Sequence, residues 1–154
     1  MSLTNVKEYF KKYNIDNRII EFDVSSATVE LAAKALNTEE KRIAKTLALK
    51  LKDKYILIVL AGDAKINNSK YKSIFHEKAS MLSFDDVQKH IGHNVGGVCP
   101  FAIKENIDVY LDESLKRFDT VFPACGSESS AIELTIKELE KYSNYISWID
   151  ISSY

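Results

Sequence analysis

The chain has 154 residues, 45% of them hydrophobic and 28% charged, and a formal net charge of −1. That length argues for one domain over residues 1–154 that buries roughly two-thirds of its unfolded surface, and the composition excludes a disordered or low-complexity protein. The near-neutral balance, with arginine only at Arg18, Arg42 and Arg117, excludes a duplex binder built on arginine–phosphate clamps, so any nucleic-acid contact is expected to be a local patch for a short single-stranded end.

Val6, Tyr9, Phe10 and Tyr13 recur at helical spacing and predict an amphipathic first helix. Residues 18–22 read as a short strand. Ser25 and Ser26 offer N-caps for a helix over 27–36, with Val29, Leu31, Ala32, Ala35 and Leu36 facing inward. Thr38 is a candidate cap for a helical turn through Arg42. Residues 43–52 and 55–61 then form a predicted hairpin about Asp53-Lys54. A helix is expected from Asn67, Asn68 or Ser69 to about His76, a short strand over 79–82, and a helix capped by Ser83 that ends near Gly92. Strands are predicted at 108–111, 120–124, 131–134 and 147–151, with a helical turn at 113–117 and a helix capped by Thr135. Interspersed strands and helices indicate a mixed α/β (α+β) fold: a central mixed, largely antiparallel sheet flanked by helices.

The longest apolar run, at 55–62, is too short to cross a bilayer. Met1-Ser2-Leu3-Thr4 lacks the basic and apolar regions of a secretory signal. The expected location is therefore the cytoplasm, without membrane contact, and Cys99 and Cys125 are expected as reduced thiols.

Three places carry candidate chemistry. Lys45 shares a predicted strand face with Ile43, Leu47, Leu49 and Leu51. An ammonium so placed either meets an anionic or carbonyl-bearing substrate or extends its head to water along a packed stem. The second place is Gly92-His93-Asn94-Val95-Gly96-Gly97-Val98-Cys99-Pro100-Phe101, which holds three of the five glycines. Gly96-Gly97 lets main-chain N–H groups approach a ligand, and Pro100 stiffens the exit; neither a dinucleotide fingerprint nor a phosphate-binding P-loop is present. The third, Pro123-Ala124-Cys125-Gly126-Ser127-Glu128-Ser129-Ser130, follows a strand with small and hydroxyl residues that either line a pocket or make a turn.

Taken together, these places resemble the YbaK / prolyl-tRNA-synthetase-associated domain family, over residues 18–151. The resemblance is carried by Ala27-Thr28-Val29-Glu30-Leu31-Ala32-Ala33, Arg42-Ile43-Ala44-Lys45-Thr46-Leu47, Gly96-Gly97-Val98-Cys99-Pro100-Phe101, Val109-Tyr110-Leu111-Asp112-Glu113-Ser114-Leu115 and Ile132-Glu133-Leu134. It implies a mixed sheet flanked by helices, and hydrolysis, in trans, of the ester joining a wrong amino acid to the 3′ end of tRNA. Lys45 matches the family's functional strand lysine. Gly96–Pro100 matches its G-x-x-x-P loop, and Gly126 the other pocket wall. Lys45, Gly96 and Gly97 are thus the candidate catalytic residues. Thr46, His93, Val98, Cys99, Pro100, Phe101, Gly126, Ser127 and Ser129 are candidate substrate contacts. Ser129-Ser130 and Ala131 depart from a glycine and an acidic residue found in relatives, so the edited amino acid is not carried over.

The partner implied is mischarged tRNA, bound through its aminoacyl end. No stable protein partner is expected, and the chain is expected to act as a monomer or homodimer. No cofactor or metal is expected, although His90-x-x-His93 has conceivable ligand spacing. No Ser-His-Asp or Cys-His set is recognisable, which favours water or the adjacent ribose hydroxyl over Cys99 as nucleophile. The competing reading from another class is a tRNA-end or small-ligand binding module without catalysis. Lys65, Lys70, Lys72 and Lys78 are either a patch for the acceptor end or a solvated helix face.

Overall fold

The computed structural model describes residues 2–93 and 96–154; Asn94 and Val95 of the glycine loop lie outside the described residues. In chain order it contains α1 (Ser2–Lys11), β1 (Ile20–Glu21), α2 (Val29–Leu36), β2 (Ile43–Lys50), β3 (Tyr55–Ala61), β4 (Lys65–Ile66), α3 (Asn68–Phe75) and α4 (Phe84–Asp86), which continues as a π-helix over Val87–Ile91. There follow β5 (Asp108–Asp112), β6 (Thr120–Pro123), β7 (Ser130–Ala131), β8 (Leu134–Thr135), α5 (Ile136–Ser143), β9 (Ser147–Ile149) and β10 (Ser152–Ser153).

The main sheet has six strands in the order β8-β6-β2-β3-β5-β9. It is mixed, as the sequence predicts. The antiparallel bias is confined to β2–β3 and β6–β8, however, because β2–β6, β3–β5 and β5–β9 are parallel. Parallel neighbours need crossovers, and the chain supplies them through α3 and α4, the glycine loop, and α5. β3 is apolar at every position, Tyr-Ile-Leu-Ile-Val-Leu-Ala, because it is central and covered on both faces. Behind it, Phe10 of α1 packs on Phe101 with ring centroids 4.8 Å apart, both fully buried. Each such side chain contributes roughly 1.5–3 kcal/mol of burial.

Several local expectations are corrected. Thr28, not Ser25 or Ser26, caps α2 by accepting from the Leu31 N–H, while the Ser26 hydroxyl donates to the Glu128 carbonyl. Leu31 is 43% exposed; Ala32 and Ala33 are the buried residues of that helix. Residues 79–82 form only a bridge between Leu49 and Met81. The strand expected at 131–134 is split between β7 and β8, which pair with different partners. The last strand is likewise split, β9 extending the main sheet and β10 pairing with β4.

Thr135 caps α5 as expected, in a capping box in which Glu138 bonds back to the Thr135 N–H. Glu138 also takes two bonds from Arg18, at 2.7 and 3.1 Å, and these chiefly hold its carboxyl down to about 2. A depressed carboxyl stabilises the fold above its unfolded value and loses that contribution as the pH falls toward its folded one. Thr135→Ala is therefore expected to cost about 1 kcal/mol in urea unfolding. Stability of the wild type should fall between pH 4.5 and about 2 more steeply than that of Glu138→Gln; equal slopes would show that the pair is not formed in solution.

Candidate functional site

β3 pairs with one edge of β2 from Ala44–Ala61 to Lys50–Tyr55. The other edge is covered only at its ends. β6 takes Ile43 and Ala44. Further along, the Lys50 N–H donates to the Ser80 carbonyl at 2.8 Å, and the Leu82 N–H to the Ala48 carbonyl at 3.0 Å. Between these, Lys45, Thr46 and Leu47 have no strand partner on that side among the described residues. Because Ala48 and Lys50 use this edge, strand alternation turns the main-chain N–H and C=O of Thr46 to the same side. The gap is a patch of unpaired strand edge enclosed within the fold.

A cavity of about 390 Å³ opens at this gap. One wall is α2, through Thr28, Val29, Ala32 and Leu36; another is Phe122 of β6 with Ala124 beyond it. Gly96 and Val98 of the glycine loop form a third, and Ser130 and Ala131 lie beside them. Met81 and Phe84 make an apolar rim, exposed by 56% and 62%. The burial of β2 dips at the same place: Ile43 and Ala44 are buried, residues 45–47 half-buried, Ala48 and Leu49 buried again.

Lys45 lies on this cavity, half-buried, its Nζ donating to the Gly62 carbonyl at 3.3 Å. Burial lowers its pKa from the usual lysine value; Asp63 acts the other way, and Lys65 adds to the lowering. The ammonium is thus partly stripped of water and, among the described residues, has one neutral acceptor, an arrangement that leaves it available to a carbonyl oxygen or a phosphate.

Of the residues the sequence singles out, the structure brings Lys45, Thr46, Gly96 and Val98 together around the cavity. The Thr46 hydroxyl is buried without a hydrogen-bond partner among the described residues. Gly96 has φ +90°, a left-handed conformation that favours glycine. At Gly97 a Cβ would collide with the backbone of Gly126 and Ser127, and the Gly97 carbonyl accepts the Gly126 N–H at 3.0 Å. Gly97 and Gly126 thus lock the loop to the turn after β6. The Ser127 hydroxyl bonds that of Ser130 at 2.7 Å and takes the Ser129 N–H at 3.4 Å, an internal turn network.

The side chains of His93, Cys99, Pro100 and Phe101 are buried, and none of them lines the cavity. The side chains of these four residues pack behind the loop. His93 Nε2 donates to the Phe101 carbonyl at 2.7 Å, and Nδ1 is buried without a partner among the described residues. Burial lowers the pKa of this imidazole, and the bond to the Phe101 carbonyl acts the other way. The Cys99 thiol lies 3.4 Å from the same Nε2, already committed as a donor, and burial pushes the thiol up to about 12. This is not a nucleophile–base pair. His90 stacks on Tyr55, with ring centroids 4.5 Å apart. Lys70 is committed to Asp150 and the Ser152 carbonyl, while Lys65, Lys72 and Lys78 are exposed.

The sequence reading missed the α2 face and Phe122. Their apolar spacing is that of an ordinary core face, and nothing in it separates a cavity wall from a filled interior. Gly97→Ala is expected to destabilise the protein by about 1–3 kcal/mol through overpacking. A melting temperature equal to wild type would show that the Gly97–Gly126 contact is not maintained.

Comparison with known proteins adds the following. A family model described as "Aminoacyl-tRNA editing domain" matches residues 23–142. The chain is 53% identical over 152 residues to "Uncharacterized protein YwhH" of Bacillus subtilis (strain 168), covering 98% of this chain and 97% of that protein. It is 25% identical over 145 residues to the Enterococcus faecalis protein named "Putative Cys-tRNA(Pro)/Cys-tRNA(Cys) deacylase EbsC", covering 92% and 88% of the two. A stretch of 90 residues, 58% of this chain, is 31% identical to 15% of the length of the proline–tRNA ligase of Caldicellulosiruptor bescii. Among solved structures, one described as "a putative trans-editing enzyme for prolyl tRNA synthetase" superposes with a TM-score of 0.87 at 22% identity, over 99% of this chain and 98% of that one, a likeness of fold.

Proposed function

The chain belongs to the aminoacyl-tRNA editing domain family, and on that premise we propose that it acts in trans, as one domain and in the cytoplasm, to hydrolyse the ester of mischarged aminoacyl-tRNA. The observation that carries this reading is the half-buried Lys45 ammonium, bonded to the Gly62 carbonyl, beside a largely apolar, open cavity. The cavity suits the side chain of an amino acid, and its mouth at Met81 and Phe84 leaves room for the nucleotide end to remain outside.

In this reaction water attacks the ester carbonyl carbon, either directly or after the neighbouring ribose hydroxyl has taken the acyl group and so formed a second ester that water then cleaves. Negative charge develops on the carbonyl oxygen, the bond to the ribose oxygen breaks, and that oxygen takes a proton. Main-chain N–H groups of Gly96 and Gly97 and their neighbours would meet the developing charge, with Lys45 holding the terminal phosphate or reacting end electrostatically. The main chain of Thr46, otherwise unpaired at the strand edge, would bond the aminoacyl group. Cys99 takes no covalent part, because its thiol is buried and protonated at neutral pH. A separate hydrolytic site has a physical use here, since a binding pocket separates amino acids differing by one methylene only about 10–200-fold.

The test is release of amino acid from a panel of mischarged tRNAs. Wild type is expected to deacylate at least one of them, and Lys45→Ala to lose about a hundredfold or more in rate with an unchanged melting temperature. Binding without release of any amino acid would instead support a non-catalytic module. Deacylation by Lys45→Ala at the wild-type rate would remove the lysine from the mechanism.

A further inference from the structure

Lys45 has an acidic neighbour that it does not pair with. Its acceptor, the Gly62 carbonyl, is followed directly by Asp63, whose charge acts on Lys45. A free aspartate beside a half-buried ammonium would be its natural counter-ion and would withdraw it from an anionic substrate. Asp63 is instead bound on both oxygens by Arg117, Nη1 to Oδ2 at 3.0 Å and Nη2 to Oδ1 at 2.6 Å. Such a two-bond fork is the most directional of side-chain ion pairs.

Arg117 is itself well anchored. Its Nε donates to the Ser114 carbonyl at 2.9 Å, and its guanidinium lies 3.8 Å from the Tyr154 ring centroid and 4.7 Å from that of Phe118. Ser114 in turn accepts the Ala61 N–H at 3.0 Å, tying the turn over Glu113–Arg117 to the end of β3. On the other side the backbone is pinned. Ala64 N–H bonds the Ala61 carbonyl at 3.0 Å, closing a turn about Gly62-Asp63, and a Cβ at Gly62 would collide with the Glu40 carbonyl and Val29. The carboxylate of Asp63 therefore has only its own side-chain rotation with which to leave Arg117. The other charges facing this group are Lys41 on Asp63 and Lys65 on Lys45.

We infer that Arg117 is a positioning residue for Lys45: by clamping Asp63 it keeps that carboxylate off the ammonium and leaves Lys45 free for the substrate. The activity consequence rests on the deacylase reading; the electrostatic consequence does not.

The experiment is a double-mutant cycle with Arg117→Met, which keeps a long stem against the rings, and Asp63→Asn. Two quantities are read: kcat/KM on an aminoacyl-tRNA that the wild type hydrolyses, and the Lys45 pKa from its side-chain 13C shift, assigned with Lys45→Ala. Arg117→Met is expected to lower kcat/KM by about tenfold and to raise the Lys45 pKa, because an unclamped carboxylate favours the charged lysine. In the Asp63→Asn background the same substitution should change neither quantity further. An equal loss of activity in both backgrounds, or a Lys45 pKa that Arg117→Met leaves unmoved, would overturn the inference. Should Arg117→Met not fold, Arg117→Lys takes its place, with a smaller shift in the same direction, since one ammonium cannot reproduce the fork. If no aminoacyl-tRNA is deacylated by wild type, the functional reading fails while the NMR titration still decides the clamp.

Discussion

An ammonium group held half out of water with a single carbonyl for a partner is unfavourable unless something else recovers the loss. In this protein that group is Lys45, and the surrounding architecture keeps it in that state. The strand that carries it is pinned along one edge by β3 and at both ends of the other edge, by β6 and by residues 80–82. The uncovered stretch between them is where the lysine and the main chain of Thr46 lie. Pairing this edge completely would give a more regular sheet with no cavity at this place.

The cavity walls come from segments far apart in the chain: α2, the glycine loop, β6 and the rim at Met81 and Phe84. What makes them one surface is rigid backing. Gly97 meets Gly126 too closely for any side chain, and behind the loop His93, Cys99 and Phe101 are packed into the interior with Phe10. These buried residues act on the site through the loop's position. A loop that presents main-chain groups needs such backing, because donors contribute most when no reorganisation is required as charge develops.

Much of this was legible in the residue pattern, and the reasons for success and failure differ by element. β3 and α5 were readable because their signals are local: a continuous apolar run, and a capping box at Thr135 and Glu138. Lys45 and the glycine loop stood out as exceptions to local rules, and the structure places Lys45, Gly96 and Val98 on one cavity. The start of α2 was misread because Ser25, Ser26 and Thr28 are chemically equivalent caps, and Ser26 is taken by a contact with Glu128, 102 residues distant. The parallel pairings were not readable, since strand direction depends on crossovers and not on periodicity. Cys99 and His93 looked like site chemistry because sequence shows only that they adjoin a loop, not which way they face. Asp63 and Arg117 gave no signal at all: a clamp between residues 54 positions apart exists only in three dimensions.

Occupancy of the β2 gap by the aminoacyl end of tRNA is the point on which the proposed function turns. Its most direct measurement is amide and side-chain NMR of the protein titrated with a hydrolysis-resistant 3′-aminoacylamido-adenosine. Saturable shifts are expected at Lys45, Thr46, Gly96 and Val98, with the Lys45 side chain among the largest. Saturable shifts elsewhere on the molecule, with these four unmoved, would contradict it.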